Sequence, residues 1–196
     1  MKKFILLAAA CVLGYTSYGQ SFMHGAGAVV FVAKPTGGDA SAVGGLTYSP
    51  RFNFVEKDNM SVSVGVPLSL GLGGSYSSDR GSYSGESNNL KFMFNVPVMF
   101  NLNIGCGATP DVESRFGFFV GAGYGYHYQS INENYSDSFE NSYSYSGKSS
   151  TTGPVGNAGI RFGVGEDHNI EVKFSYMKGI TNDKPSIMGI GALFNF

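Results

Sequence analysis

The longest alternating stretch of the sequence is residues 89–104, which read N-L-K-F-M-F-N-V-P-V-M-F-N-L-N-I. Leu, Phe, Val and Ile fill every second position, and Asn, Lys, Met and Pro fill the positions between them. Because successive side chains of a strand point to opposite faces, this pattern predicts one strand with a wholly apolar face. Strands of soluble proteins usually have about five or six residues, whereas a strand tilted across a bilayer needs roughly nine to eleven. The apolar face therefore contacts either a protein core or lipid.

The first nineteen residues have the pattern of a secretory signal peptide. Lys2 and Lys3 are followed by an apolar run over residues 4–13 and by the small residues Ser17 and Gly19. This pattern predicts a signal peptide over 1–19 and a single mature domain over 20–196. No later segment is a run of about twenty apolar residues, so any membrane crossing would have to use a closed sheet.

Charge and cysteine content exclude several classes of function. The chain has 13 basic and 14 acidic residues, and removing Lys2 and Lys3 leaves 11 and 14, a net charge of −3. This balance gives no footprint for nucleic acid. Only Cys106 remains after processing, so an intramolecular disulfide or a thiolate-rich zinc site is excluded. The three histidines are far apart in the sequence pattern, and we expect neither a metal nor a cofactor.

Seven further segments alternate more weakly, and together with the first they predict about eight strands. Long and short connections also alternate along the chain, as expected for an up-and-down barrel whose N-terminus is periplasmic. The exception is the fourth connection, residues 105–114, which is longer than a tight turn. The pattern predicts an all-β, closed, antiparallel up-and-down transmembrane β-barrel. The weaker segments are residues 23–33, 42–55, 60–73, 115–129, 154–164, 169–180 and 187–196.

The last residues, G-I-G-A-L-F-N-F, resemble the C-terminal assembly signal of bacterial outer-membrane barrels through Gly191, Phe194 and Phe196. The mature chain resembles the eight-stranded barrels related to OmpX and to the OmpA membrane domain, and Gln20 after the cleavage site resembles exported proteins of Bacteroidota. The resemblance implies the outer membrane of a Gram-negative bacterium and export by a cleaved signal peptide. It also implies contact with outer-membrane lipid, folding by the barrel assembly machinery, and a monomer.

A secreted, lipocalin-like binder is the soluble alternative, since such barrels are also antiparallel and eight-stranded. It would turn the apolar face of residues 89–104 inward and the other face to water. That other face is poor in charge, and only 14% of all residues are charged. A soluble exterior usually has many more charged residues, so the pattern favours lipid outside the barrel.

With lipid outside, six charged side chains are predicted to point into the lumen. Strand direction places all of them except Lys91 in the periplasmic half, where Asp111 and Glu113 of the fourth connection are expected nearby. They form either an anion site in a gated path or an internal salt-bridge network. The network is favoured because unpaired buried charge is costly. The six are Arg51, Lys91, Arg115, Arg161, Glu171 and Lys173.

His127 and Ser130 raise the possibility of a lipid-modifying enzyme. Residues three apart on a strand fall on opposite faces, so the two cannot act as a base and its nucleophile. We therefore expect His127 to be an ordinary lumen side chain, no catalytic residue, and no enzyme.

The fifth connection is rich in Tyr and Ser, and it contains Tyr135, Phe139, Tyr143 and Tyr145. Such a mixture offers flat contact area with hydrogen bonding, as in antibody loops, and predicts contacts to an extracellular ligand of unknown identity. The alternative is a hydrated loop whose aromatic side chains anchor at the membrane interface. The expected function is structural or surface-interactive, and a narrow small-solute pore remains open beside it.

Overall fold

The computed structural model describes residues 20–36, 40–80, 84–137, 142–181 and 184–196. The predicted signal peptide lies outside the described residues. Within them, no helix is long and apolar enough to cross a membrane. The strands are β1 (Ser21–Lys34), β2 (Ser41–Lys57), β3 (Met60–Gly65), β4 (Leu68–Arg80), β5 (Ser84–Gly105), β6 (Phe116–Asp137), β7 (Ser142–Val164), β8 (His168–Lys178) and β9 (Ser186–Asn195).

The strands form one closed antiparallel ring. β3 and β4 each pair with β2 on one side and with β5 on the other. The other strands pair with their neighbours in sequence, and β1 pairs both with β2 and with β9. Ala28 illustrates the closure, because its Cα partners are Leu46 on β2 and Ala192 on β9. The predicted all-β, up-and-down barrel is confirmed.

The third predicted strand is interrupted, so that it appears as β3 and β4. Both pieces keep one register, because β2 pairs Arg51 with Gly65 and Tyr48 with Leu68. Pro67 lies in the gap and has no N–H to donate, and its cross-strand neighbour Pro97 has none either. The hydrogen bonds to the adjacent strands are therefore interrupted for a few residues without a change of register. β3 and β4 together form one strand of the barrel, so the predicted number of about eight strands is correct.

The hairpins at one end are longer than the sequence pattern predicted. Pairing continues to Arg80 with Ser84 between β4 and β5, and to Ser136 with Ser142 between β6 and β7. These segments are rich in Ser, Asn, Gly and Tyr. Apolar and polar residues alternate along a strand only where its two faces have different surroundings. A strand segment that projects past the barrel has water on both faces, so its sequence does not alternate.

The apolar faces point outward. On β5, Phe92, Val98 and Phe100 are exposed, whereas Met93 and Met99 between them are fully buried. Exposed apolar side chains recur on β1, β2, β4, β6, β7, β8 and β9, so the lipocalin-like arrangement with the apolar face inside is wrong. Examples are Val30, Leu46, Leu68, Leu70, Val120, Ile160, Phe174 and Ile190.

Both ends of the barrel have a distinct set of connections. The start of β1 and the end of β9 share one end with the turns after β2, β5 and β7, and we call it the inner end. The connections after β1, β4, β6 and β8 lie at the opposite end, which we call the outer end.

Candidate functional site

An ion pair lies at the centre of the inner half of the lumen. Arg161 on β7 and Glu171 on β8 are Cα partners across the hairpin, and Arg161 Nε lies 2.8 Å from Glu171 Oε2. Both residues are almost completely buried. The short β7–β8 turn fixes this register, which is why the pairing could be read from the sequence.

The Arg161 guanidinium has further partners on other strands. Its Nη1 donates to Asn103 Oδ1 on β5 at 3.0 Å, and its Cζ lies 4.4 Å from the centre of the Phe119 ring on β6. A guanidinium over an aromatic face gains a favourable cation–π contact. Asn195 Nδ2 on β9 also lies 3.4 Å from Glu171 Oε2, so the network connects five strands, β5 to β9.

The long turn between β5 and β6 closes the inner end. Its residues Cys106, Gly107, Ala108 and Thr109 are buried, and we call these four residues the plug. The Gly107 carbonyl accepts hydrogen bonds from Arg51 and, at 3.3 Å, from Arg161 Nη1. Burial raises the pKa of the Cys106 thiol. The plug therefore supplies backbone oxygen to two cations and keeps its own thiol protonated.

The carbonyl of Ala108 in the plug accepts hydrogen bonds from neutral side chains. Ala108 O accepts from Asn53 Nδ2 at 2.9 Å and from Ser61 Oγ at 2.6 Å. Asp111 and Glu113 were expected to approach the basic side chains, but both are exposed. That expectation is wrong, because the plug turns its carbonyls into the lumen and leaves the acidic part of the turn outside.

The remaining predicted lumen charges are distributed differently. Arg115 is exposed, because it precedes the first residue of β6 at the rim, and its placement in the lumen is wrong. Lys173 is half-buried on the inward face of β8, two residues after Glu171. Lys91 is half-buried near the outer end, where its Nζ lies 3.1 Å from Ser41 Oγ.

Glu56 is a network residue that the sequence pattern missed. It accepts from Asn53 Nδ2 at 2.8 Å and contacts Ser21 Oγ. Its position along β2 has the parity of the outward residues Phe52 and Phe54. A β-bulge shifts the register between Asn53 and Val55, and one extra residue reverses the facing of those that follow. No signal in the sequence marks this bulge.

The middle of the lumen is apolar, which the sequence pattern did not predict. Methionines assigned to the polar face of their strands lie here, and an unbranched thioether fills irregular gaps. Two cavities of about 30 and 20 Å³ border this part of the lumen, each with room for one or two water molecules. We call the following residues the apolar layer: Val29, Phe31, Ala33, Val43, Met93, Met99, Val155, Met177 and Ile187.

Above the apolar layer, a cavity of about 410 Å³ opens at the outer end. We call it the vestibule, and it is lined by Ser41, Lys91, His127, Gln129 and Thr151 among others. His127 is buried, with Nδ1 3.3 Å from Asn95 Oδ1. Ser130 is half-buried and has the parity of the outward side chains of β6, as expected from the spacing. His127 and Ser130 are therefore not brought together.

The predicted tyrosine contacts lie on a hairpin rather than in a loop. Tyr135 belongs to β6, Tyr143 and Tyr145 belong to β7, and Tyr135 is the Cα partner of Tyr143. Phe139 lies outside the described residues.

The predicted assembly residues lie on the last strand, beside the first. Phe194 and Phe196 are exposed with ring centres 6.4 Å apart, and Phe196 N donates to His24 O at 2.9 Å. Gly191 is buried and pairs with Val29 on β1.

Comparisons with known proteins return barrels of the expected kind. No protein-family model matches the chain, and no curated protein matches it. It is similar to the attachment invasion locus protein Ail of Yersinia pestis, with 15% identity over 91% of this chain and 99% of that chain and a TM-score of 0.48. Neisserial surface protein A gives 11% identity over 91% and 98%, with a TM-score of 0.43. The outer membrane protein OprG from Pseudomonas aeruginosa gives 12% identity over 91% and 96%, with a TM-score of 0.43.

The resemblance to small outer-membrane barrels is thus found in the structure comparisons too. At these identities and scores it adds nothing about function, and the barrel assignment depends on the ring of strand pairing in this chain.

Replacing Glu171 tests the ion pair. We expect Glu171→Gln to lower the free energy of unfolding by about 3 to 5 kcal/mol, because Arg161 stays buried without its countercharge. Glu166→Gln in the exposed β7–β8 turn is the control, with an expected change below about 0.5 kcal/mol. Urea unfolding in lipid vesicles measures both. The double change Arg161→Met with Glu171→Leu should recover much of the loss, and equal stability of the two single variants would contradict a buried network.

Adding a methyl group to Gly107 tests how closely the plug packs against the side chains of the lumen. Gly107 has φ +67°, and a Cβ there would lie 2.6 Å from Asn169 Nδ2 and 3.2 Å from Arg161 Cδ. Gly165 has a similar φ of +71° but open space around it. Gly165→Ala should cost about 1 to 2 kcal/mol, the usual cost of a left-handed residue. Gly107→Ala should lower the free energy of unfolding clearly more in the same assay. An effect equal to that of Gly165→Ala would mean that the plug does not pack closely against Arg161.

Proposed function

We propose that this chain is an outer-membrane β-barrel that spans the membrane and presents its outer end to the surroundings of the cell. The observation that supports this most directly is the belt of exposed apolar side chains on a ring with paired strands all round. A closed ring satisfies the backbone hydrogen bonds of the wall, and lipid requires this of any spanning sheet. A water-facing exterior of this kind would be a large aggregation-prone surface.

Aromatic side chains at both ends of the belt support this placement. Phe22, Phe116, Phe162 and Phe196 are exposed at the inner end, and Tyr124, Tyr126 and Tyr176 are exposed toward the outer end. Aromatic girdles at the two interfaces are typical of outer-membrane barrels. The inner end then faces the periplasm, in keeping with a role for Gly191, Phe194 and Phe196 in recognition by the assembly machinery.

A role in surface contact fits the molecule better than a pore or an enzyme does. The plug, the ion-pair network and the apolar layer fill successive levels of the lumen, so the described residues leave no continuous wide path for a solute. His127 is buried in the vestibule, with Ser130 on the other face of its strand. The paired extensions of β4 to β7 project past the rim, and Tyr135, Tyr143 and Tyr145 on β6 and β7 offer contact area to an extracellular ligand.

Replacing an outward-facing isoleucine with arginine tests whether the barrel lies in a membrane. Ile190 in the middle of β9 is 61% exposed, and Ile180 at the outer end of the barrel is 60% exposed. We expect Ile190→Arg to destabilise the barrel by about 2 to 4 kcal/mol in vesicles, and Ile180→Arg by at most about 1, because the cost of a charge falls toward the interface. Urea unfolding in vesicles measures the difference. A water-soluble barrel would tolerate both changes equally.

Trimming one hairpin tests the contact role. Ile131 and Gly147 are Cα partners, so an Asn-Gly turn can replace residues 132–146 without altering the barrel below. We expect this variant to keep its shift in gel mobility on boiling, while cells that display it lose binding to a glycan array. The control replaces residues 76–88 between the paired Ser75 and Asn89 by the same turn and retains binding. Unchanged binding after loss of residues 132–146 would exclude the tyrosine hairpin as the contact surface.

A further inference from the structure

Three strands bring donors together in the vestibule. Ser41 Oγ on β2 accepts a hydrogen bond from Lys91 Nζ on β5 at 3.1 Å and from Gln129 Nε2 on β6 at 2.9 Å. A hydroxyl that accepts two hydrogen bonds still has its own proton to donate. The ammonium of Lys91 and the amide of Gln129 each have more N–H groups than these bonds use. The cluster therefore presents positive charge and several donors to one place.

His127 adds an acceptor lower in the same cavity. Its Nδ1 lies 3.3 Å from Asn95 Oδ1, and an amide oxygen only accepts, so Nδ1 carries the proton in this arrangement. The other ring nitrogen, Nε2, is then an acceptor. It is buried and has no hydrogen-bond partner among the residues that the structure describes. A buried polar atom without a partner costs stability, which a hydroxyl group of a ligand would recover.

The walls of the vestibule are mostly apolar. Ala33, Pro35, Pro185 and Ile187 line it together with the polar side chains, and none of the described side chains that line it is a carboxylate. The volume of about 410 Å³ is within the range of small-molecule sites. Apolar walls with a few convergent polar groups suit a sugar ring, which has C–H faces and hydroxyl edges.

We propose that the vestibule binds an anionic monosaccharide unit, a sugar ring that carries a phosphate group. The phosphate contacts Lys91, Gln129 and the Ser41 hydroxyl, one ring hydroxyl donates to His127 Nε2, and the C–H faces pack on Pro35 and Ile187. This inference rests on the proposed function only for its direction, since the vestibule opens at the end that faces outward. The same chemistry is offered by a free sugar phosphate and by the phosphorylated sugar of a membrane glycolipid.

Calorimetric titration of the full chain in detergent tests the proposal, with glucose 6-phosphate as the probe. Saturable binding is expected, and glucose or inorganic phosphate alone should bind at least tenfold more weakly. Lys91→Met should weaken glucose 6-phosphate at least tenfold, and His127→Phe should weaken it while leaving inorganic phosphate unchanged. Lys34→Met is the control, because it removes the same charge from an exposed outward residue near the same end. Gel mobility before and after boiling verifies that each variant is folded.

Several results would overturn the proposal. They are equal loss in Lys91→Met and Lys34→Met, binding of phosphate as tight as that of the sugar phosphate, or no saturable binding at millimolar probe. Should Lys91→Met fail to fold, Ser41→Ala at the same cluster takes its place with the same expectation. A second titration with a short-chain phosphorylated glucosamine lipid separates the sources, since a glycolipid site prefers it to glucose 6-phosphate. These titrations use detergent, so their failure leaves the charge test of membrane placement unaffected.

Discussion

The pairing of β1 with β9 is the constraint on which the rest of this structure depends. Ten residues of β1, Gly25 to Lys34, pair with β9 and turn a sheet with two edges into a ring with none. An open edge in hydrocarbon would leave backbone groups without partners, each at a cost of several kcal/mol. Closure also fixes the lumen of an eight-stranded ring at a width that side chains fill. The packed interior therefore follows from that single pairing.

The interior meets this constraint differently at each level. At the inner end, where Arg51, Arg161 and Lys173 outnumber Glu171, the plug supplies backbone carbonyls in place of further carboxylates. Carbonyl oxygens accept hydrogen bonds from guanidinium groups without adding a charge that must itself be desolvated. In the middle, flexible methionines fill the space that rigid side chains would leave empty. At the outer end the vestibule leaves room for a ligand, and the two filled levels beneath it hold its walls in place.

The difference between the filled inner and middle levels of the lumen and the open outer level bears on function. A lumen that is filled at its inner and middle levels supports the proposal of recognition at the outer end rather than passage of a solute. The vestibule and the projecting strands share β5, β6 and β7, so any contact made by the hairpin lies on the strands that carry Lys91, His127 and Gln129. Sites on strands of a rigid scaffold are more precise than sites on loops.

The sequence by itself determined which face of each strand is apolar, the number of strands, and the pairing of Arg161 with Glu171. All three follow from a period of two and from short turns, which are local properties of the chain. The tertiary structure decided what the pattern could not. It placed Arg115 outside and Glu56 inside, because the start of a strand and a bulge reset the facing of nearby residues. It moved the carbonyl of Gly107, rather than Asp111 and Glu113, to the cations, and it gathered distant methionines into the apolar layer. These outcomes depend on which residues far apart in the chain share the closed lumen, and only the folded ring brings them together.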